Sequence, residues 1–317
     1  MTQPSLPHPP PRAPASRRAR PPAERLSHRL ATLTLIRVAG RHRPFALTRL
    51  GRAGGNLAAV APAPGEAPDV VVRLLGSGAG RRGLSALPSF DRFGILVPAW
   101  GSLEDARRFL DASPWMRAYE ARAVERLDLF LLPVSGHGRW DGDTPFQGID
   151  GVCPFSGDRA SRTGGTAEAL DGAPLAVLTR ATVRPRTLAS FFRASARIEG
   201  DLERCGALLA MGLGELPWVR QATFSVWPSF AAMRRFAYEE PAHREAVRLA
   251  RAKGWFTEDL FVRFRLLAAR GRWEGRDPFA GLDLPGLPDG GGDDDDDDDA
   301  SPWSDGSRVA SGEARGG

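Results

Sequence analysis

The stretch Arg139–Phe146 reads RWDGDTPF, and Arg272–Phe279, which lies 133 residues further on, reads RWEGRDPF. A second pair lies upstream, where Trp100–Phe109 reads WGSLEDARRF and Trp227–Phe236 reads WPSFAAMRRF. Because similar phrases recur in the same order, they indicate an internal duplication. The chain is therefore predicted to contain two copies of one unit, at 31–146 and 174–280.

Both copies alternate β-branched, apolar stretches with stretches of helical periodicity. Each predicts the order strand, helix, strand, strand, helix, strand, which is the ferredoxin-like βαββαβ unit. The predicted strands are Thr32–Val38, Val70–Leu75, Phe93–Trp100 and Leu127–Leu132, then Leu175–Val183, Ala207–Met211, Ala222–Trp227 and Leu260–Leu266. The predicted helices are Phe45–Val60, one that follows Ser102, Arg186–Ile198, Ser229–Phe236 and Pro241–Ala252.

The predicted fold class is therefore α+β: tandem ferredoxin-like repeats that form a dimeric α+β barrel-like pseudo-dimer. In such an arrangement two sheets face each other and the helices lie outside. The space between the sheets is the expected place for an apolar ligand. Four tryptophans pair across the copies, which favours a structural anchoring role over a ligand-binding one. They are Trp100, Trp140, Trp227 and Trp273.

Three segments lie outside the two units. Residues 1–30 are rich in proline and arginine, 147–173 are rich in glycine, serine and threonine, and 281–317 contain an unbroken run from Asp293 to Asp299. Such compositions cannot bury enough apolar surface to form a core. We expect a disordered arm, a linker and a disordered acidic tail, respectively.

The overall composition restricts the class of protein. Hydrophobic residues make up 42% of the 317 residues and charged residues 26%, which is ordinary for a soluble globular chain. The net charge of +5 comes with no zinc finger, basic zipper or RNP sequence, so nucleic acid is not an expected partner. No apolar run approaches the roughly 20 residues that span a bilayer. The N-terminus lacks the apolar segment of a secretory signal, so we expect a cytoplasmic protein.

One glycine-rich stretch, Gly78–Gly83, fits the G-x-G-x-x-G pattern of dinucleotide-binding loops. That pattern also needs a helix directly after the loop, because the N-terminus of the helix binds the pyrophosphate. Residues 84–88, LSALP, predict no helix, and the corresponding stretch Gly212–Glu215 lacks the pattern. We interpret Gly78–Gly83 as part of a loop between the second and third strands.

Candidate metal ligands are scarce in this chain. The histidines and cysteines are His8, His28, His42, His137, His243, Cys153 and Cys205. No close pair has the spacing of a zinc or non-haem iron site. Haem iron, in contrast, needs a single axial protein ligand, because the porphyrin supplies four nitrogens. The scarcity therefore favours haem if the protein holds a metal.

His243 is the main candidate ligand, since it lies in a strong helical stretch, and Met116 holds the corresponding place in the first copy. Two interpretations stay open for it: a first-turn helix histidine without a chemical task, or an axial ligand to haem iron. Cys153, in the linker, is a rival thiolate ligand. His137 is flanked by glycines and is predicted to lie in a loop.

Five phrases of the second copy carry a family resemblance. They are LTRATVRP at 178–185, GLGELP at 212–217, QATFSVWP at 221–228, GWFTEDLFVRF at 254–264 and GRWEG at 271–275. These phrases resemble the spheroidene monooxygenases, the acyclic carotenoid 2-ketolases of purple phototrophic bacteria. The resemblance covers about 31–280, but 41–92 matches poorly, and the arm and the acidic tail depart from the family pattern.

The resemblance implies an O₂-dependent oxygenase that converts the C-2 methylene of spheroidene, or of a related acyclic carotenoid, to a hydroxyl and then to a ketone. Reduced ferredoxin is the implied electron donor. Because O₂ reacts slowly with closed-shell organic molecules, a cofactor must activate it, and some barrel proteins similar to the family bind haem. The phrase PAHRE at 241–245 is similar to the family's Pro-His pattern, so His243 is the expected ligand of haem iron. Arginines such as Arg180 or Arg244 are expected to pair with the haem propionates.

The basic body of the chain could also contact anionic lipid, so we expect peripheral contact with the photosynthetic inner membrane. Three other classes of protein stay open. One is an aldoxime dehydratase-like haem lyase on the same fold. Another is a haem- or carotenoid-binding protein without turnover, and the third is a haem-free oxygenase of the antibiotic-biosynthesis type.

Overall fold

The secondary structure comes from a computed structural model that describes residues 30–45, 71–146, 173–215 and 219–287. The first half contains β1 Ala31–Val38, β2 Arg73–Gly78, β3 Pro88–Val97, α1 Leu103–Ala112, α2 Pro114–Glu120 and β4 Ala123–Gly138. The second half contains β5 Leu175–Val183, α3 Leu188–Arg204, β6 Leu209–Glu215, β7 Arg220–Trp227, α4 Phe230–Glu239, α5 Pro241–Lys253 and β8 Phe256–Gly271. The α+β class that the sequence predicts is confirmed.

The strands close into one antiparallel barrel in the order β1-β3-β2-β6-β7-β5-β8-β4. The first half contributes the run β4-β1-β3-β2 and the second half the run β8-β5-β7-β6, so both halves have the same internal strand order. The halves meet along two seams of very different extent. Eleven residue pairs join β4 to β8, whereas the ladder between β2 and β6 consists of the single pair Gly76–Gly214.

The ladder between β4 and β8 is symmetric with respect to the two halves. Leu127 of β4 pairs with Gly271 of β8, and Gly138 of β4 pairs with Leu260 of β8. The two leucines are 133 residues apart in the chain, and so are the two glycines. Exchanging the halves therefore maps these two pairs of the ladder onto each other.

The repeated phrases form the same turn in each half. The backbone of Trp140 bridges Asp143, and that of Trp273 bridges Arg276. Both tryptophans are buried, as are Trp100 and Trp227. The structural anchoring role that the sequence favours for these residues is therefore confirmed.

Large apolar side chains fill the interior of the barrel. Side chains from every strand meet in the space between the sheets, where the sequence predicts an apolar ligand. The interior residues include Leu33, Leu129, Leu178, Phe224 and Phe264, together with Trp140 from the repeated turn.

Helices cover the outer faces of the strands. Serines cap α1 and α4: Ser102 Oγ accepts a hydrogen bond from the amide of Asp105, and Ser229 Oγ accepts one from the amide of Ala232. The first half also has a second helix, α2, which the sequence did not predict. Its residue Met116 is fully buried against the outer face of the first-half strands.

Long-range pairing lengthens the last strand of each half beyond the sequence prediction. Both β4 and β8 have 16 residues. His137 consequently lies in β4, opposite Phe261 of β8, and its prediction as a loop residue is wrong. Its flanking glycines suggested a turn, but the ladder to β8 continues through them.

The described chain continues past the second unit. Leu282 and Leu284 pack against the barrel core, and the amide of Gly286 donates a hydrogen bond to the carbonyl of Leu267. Four segments of the sequence prediction lie outside the described residues. They are the arm at 1–29, most of the predicted helix Phe45–Val60, the linker at 147–172 and the tail from 288. In the part that is described, no helix combines the length and the apolar character needed to cross a bilayer.

Candidate functional site

A cleft opens beside the short seam between β2 and β6. It is a small pocket of about 50 Å³ that is open to solvent. A few polar groups face it, among them Ser77, Glu215 and Gln221. Its apolar walls come from Ala86, Pro88, Phe90, Phe93 and Leu213. An apolar slot with a few polar groups is the usual form of a small-molecule site.

Glycines bring the two halves together at this cleft. The amide of Gly212 in β6 donates a hydrogen bond to the carbonyl of Arg82, at 2.6 Å, and Ser77 Oγ donates one to the carbonyl of Gly212, at 2.9 Å. A Cβ atom on Gly212 would clash with the carbonyl oxygen of Gly83. Since β3 follows this stretch without a helix, the interpretation of Gly78–Gly83 as part of a loop is confirmed. Its glycines allow close approach of two backbones.

Phe90 lines the cleft in a strained backbone conformation. Its φ angle is 57°, a left-handed value that a residue with a bulky side chain rarely adopts. Such strain costs on the order of 1–3 kcal/mol and concentrates at functional sites. The outlier therefore supports the cleft as a candidate site.

A buried ionic network adjoins the polar side of the cleft. Arg180 of β5 is 1% exposed and points into the end of the barrel. Its terminal nitrogens pair with Glu258, with Asp141 at 3.2 Å and with Glu215 at 3.3 Å. Arg73 joins the same group at 3.3 Å from Asp141 and 3.4 Å from Glu215. Because Glu215 also lines the cleft, the network forms part of its wall.

The network fixes the first repeated turn to the barrel. Trp140 Nε1 donates a hydrogen bond to Glu215, at 3.0 Å, and the Arg73 guanidinium lies 4.4 Å from the centre of the Trp140 ring. Although burial favours the neutral acid, the amides of Gly142 and Asp141, together with Arg180, hold the pKa of Glu258 below its usual value. Glu258 is therefore engaged as an ion, and the chemical role of the network is to hold the site in place.

His243, the sequence-predicted ligand, lies away from this cleft. It occupies the third position of α5, packed against Phe236 of α4 with ring centres 4.8 Å apart. Its Nδ1 lies 2.9 Å from the carbonyl oxygen of Ala237. Burial lowers its pKa, although the hydrogen bond to Ala237 opposes that change. The ring is therefore neutral at pH 7. If Nδ1 donates to Ala237, Nε2 carries the free lone pair that a metal needs.

The sequence also suggested Arg180 as a partner of a haem propionate and Cys153 as a rival ligand of the iron. Arg180 is not available for a haem propionate, because both of its terminal nitrogens already pair with carboxylates. Cys153 lies outside the described residues. Within the described ranges, no three His, Cys, Asp or Glu side chains gather to hold a metal ion.

Comparison of the sequence with known proteins finds relatives that share one name. The chain is 35% identical over 209 residues to the spheroidene monooxygenase of Rhodobacter capsulatus, covering 66% of this chain and 80% of that protein. It is 36% identical over 232 residues to the spheroidene monooxygenase of Rubrivivax gelatinosus, covering 72% and 80%. No protein-family model matches the chain.

Solved structures are more distant. A crystal structure of aldoxime dehydratase is 11% identical, with a TM-score of 0.47 over 80% of this chain and 88% of that one. A putative monooxygenase from Lactobacillus acidophilus is also 11% identical, with a TM-score of 0.29 over 78% of this chain and all of that one. Similarities at these scores carry no argument about function.

Proposed function

Because the chain belongs to the spheroidene monooxygenase family and is therefore a monooxygenase, we propose that it oxidises an acyclic carotenoid with O₂. The observation that carries this proposal is the 35% identity that spans 80% of a relative of that name. The proposed reaction converts the C-2 methylene of spheroidene, or of a close analogue, to a hydroxyl and then to a ketone.

The electron balance of this reaction requires a donor. Each round takes one O₂, two electrons and two protons, inserts one oxygen atom into a C–H bond and releases the other as water. A second round at the same carbon gives a geminal diol, which loses water to become the ketone. We propose reduced ferredoxin as the source of the electrons.

The cleft between β2 and β6 is the proposed place for the end of the carotenoid. Ala86, Pro88, Phe90 and Leu213 offer apolar contact. The Arg180 network keeps this end of the barrel rigid, because every carboxylate in it is held by at least one arginine. The chain thus supplies a fixed apolar slot, which orients one end of the substrate.

His243 would hold haem iron through its imidazole in this proposal. The donor chemistry fits, since Nδ1 is held by the Ala237 carbonyl and burial favours the neutral ring. When bound, haem would supply the activation of O₂ that the protein's own side chains cannot provide. The residues of α4 and α5 would orient the imidazole and exclude water around it.

The two halves are the proposed tandem units of a pseudo-dimer, at 31–146 and 174–280. Their shared strand order and the repeat symmetry of the long seam support this interpretation. Since a duplicated ferredoxin-like unit closes both sheets into one barrel, it needs no second chain to cover its inner faces.

Peripheral contact with a membrane is part of the proposal, together with a cytoplasmic location. A carotenoid partitions into lipid, so its transfer to the protein requires an apolar entrance. Leu87 lies between two residues of the cleft wall and is 69% exposed. We propose that Leu87 inserts into the lipid surface at the entrance of the cleft.

The lyase alternative is not favoured, because the sequence relatives at 35% and 36% identity are both named spheroidene monooxygenase. A carotenoid-binding protein without turnover is the competing proposal. Expression of the chain in a host that accumulates spheroidene, under air, separates the two. We expect the extracted pigments to contain the 2-hydroxy and 2-keto products, whereas unchanged spheroidene at good soluble yield would favour the binding protein.

A further inference from the structure

A second buried arginine, Arg263 of β8, differs from Arg180 in its surroundings. It is 9% exposed, yet no carboxylate of the described residues forms an ion pair with it, and its Nε has no hydrogen-bond partner among them. Burying an uncompensated charge is costly, so such a group either binds a counter-ion or destabilises the fold. Its environment therefore points to an anion that the described residues do not supply.

Aromatic rings and one hydroxyl surround the Arg263 guanidinium. It lies 5.0 Å from the centre of the Phe261 ring and 5.6 Å from that of Phe230. Burial lowers the pKa of Arg263, and the Tyr238 side chain opposes that change. His137 stacks on the other ring contact, Phe261, at 5.6 Å. Ring faces stabilise a cation weakly and leave its hydrogen-bonding edge for an anion.

Asp259, the carboxylate nearest to Arg263 in the sequence of β8, does not pair with it. Asp259 acts on His137, whose pKa burial lowers and Asp259 raises, and it has no comparable effect on Arg263. The hydroxyl of Tyr238 is a hydrogen-bond partner of Arg263 and not a carboxylate counter-ion. The positive charge between α4 and the sheet is therefore uncompensated within the described residues.

The helix α4 connects this charge to His243. Phe230, in its first turn, contacts Arg263, and Phe236 and Ala237, near its end, contact His243. The two phenylalanines are six positions apart, a distance of roughly 9 Å along the axis. One end of α4 therefore contacts the His243 imidazole, and the other end contacts the unpaired cation.

We propose that Arg263 is the cationic group of a carboxylate-binding site beneath α4, and that the carboxylate it binds is a propionate of haem. The identity of that carboxylate rests on the proposed function. Guanidinium groups bind carboxylates through two parallel N–H donors, which gives both charge and geometry for recognition. Arg263 thus replaces Arg180 and Arg244, the arginines that the sequence suggested for this task.

The test compares haemin with its dimethyl ester, in which both carboxylates are neutral. The full chain without haem is titrated with each compound, and the Soret absorbance gives the two dissociation constants. We expect the wild type to bind haemin about tenfold more tightly than the ester, as for one charge-assisted hydrogen bond. In Arg263→Met the ratio should fall to near one. Arg244→Met, which removes an exposed arginine of α5, is the matched control and should keep the wild-type ratio.

A ratio that stays unchanged in Arg263→Met, or that falls instead in Arg244→Met, overturns the inference. Failure of the variant to fold is not expected, because the substitution removes a charge that has no carboxylate partner; thermal unfolding checks this. If the wild type shows no Soret band with either compound, the haem proposal fails instead. Malonate then tests the site alone: a rise in Tm in the wild type but not in Arg263→Met supports a carboxylate site, and no rise in the wild type overturns it.

Discussion

The two halves of the barrel share one strand order, but they differ in chemistry at equivalent positions. Leu35 pairs with Leu127 in the first half, and Arg180 pairs with Leu260 in the second. Since Leu127 and Leu260 are repeat partners, Arg180 occupies in the second half the interior position that Leu35 occupies in the first. An apolar core position in one copy has become the centre of an ionic network in the other.

The helices show the same contrast. Met116 and His243 are each the third residue of a helix that begins with proline, and Met116 is fully buried whereas His243 is partly exposed. On the outer face of the long seam, Phe130 and Arg263 lie 133 residues apart. Phe130 packs into the core beneath the first-half helices. At these equivalent positions, therefore, the first half has apolar side chains where the second half has polar ones.

The largest expected effect on stability comes from replacing Arg180 with an apolar residue, as at the equivalent position Leu35 of the first half. Arg180→Met removes the centre of the network and leaves Asp141, Glu215 and Glu258 with less compensation. We expect a loss of about 3–5 kcal/mol in the free energy of unfolding, as for other broken buried ion pairs. Urea denaturation measures it. Leu35→Met is the first-half control and should cost less than about 1.5 kcal/mol. Similar values for the two variants would remove the contrast between the halves.

A smaller effect is expected at the short seam. Gly212→Ala places a Cβ atom against the carbonyl of Gly83, so the two backbones must separate. We expect a loss of about 1–3 kcal/mol in stability, together with reduced pigment conversion because the cleft changes shape. Gly200→Ala in α3 meets open space and should stabilise the protein by about 0.5–1 kcal/mol. A neutral Gly212→Ala would show that the close approach at this seam is not required.

The smallest effect is a pH-dependent one in the second half. The pKa of Glu258 is lowered in the folded protein, so its ionised form adds stability that is present above the unfolded pKa and is lost as the pH falls through the folded pKa. Glu258→Gln should therefore cost about 1 kcal/mol at pH 7, and progressively less below pH 4.5, the usual value for a glutamate.

The surface pair Glu245–Arg248 provides the control for that measurement. Their side chains are 2.7 Å apart on the exposed face of α5, where solvent screens the interaction. Glu245→Gln should leave the stability curve almost unchanged at every pH. A cost for Glu258→Gln that persists at low pH would mean that the carboxylate charge is not what stabilises the repeated turn.

Local patterns predicted much of the fold. The alternation in Leu175–Val183 gave the bounds of β5, and the periodicity after Pro241 gave those of α5 to within one residue. The lengths of β4 and β8 were not predictable, because each strand is extended by pairing with the other across more than a hundred residues. His137 was misplaced for that reason.

Of the site, the sequence singled out His243 but not the cleft or the ionic network. The network joins residues that are far apart in the chain, such as Arg73 and Glu215, and only closure of the barrel brings them together. One signal was available: Arg180 continues the alternating apolar positions Ala176 and Leu178, so a charge on the inward face of β5 required a buried partner.

The central claim is that His243 in the second half has a role in the reaction that its first-half counterpart Met116 lacks, and paired variants at this equivalent position test it most directly. His243→Ala and Met116→Leu are expressed in a spheroidene-accumulating host under air, and the pigments and the Soret band of the purified proteins are compared at matched soluble yield. We predict that His243→Ala folds but loses both the Soret band and the oxidised carotenoids, while Met116→Leu keeps both. Undiminished oxidation and an unchanged Soret band in His243→Ala would contradict the account.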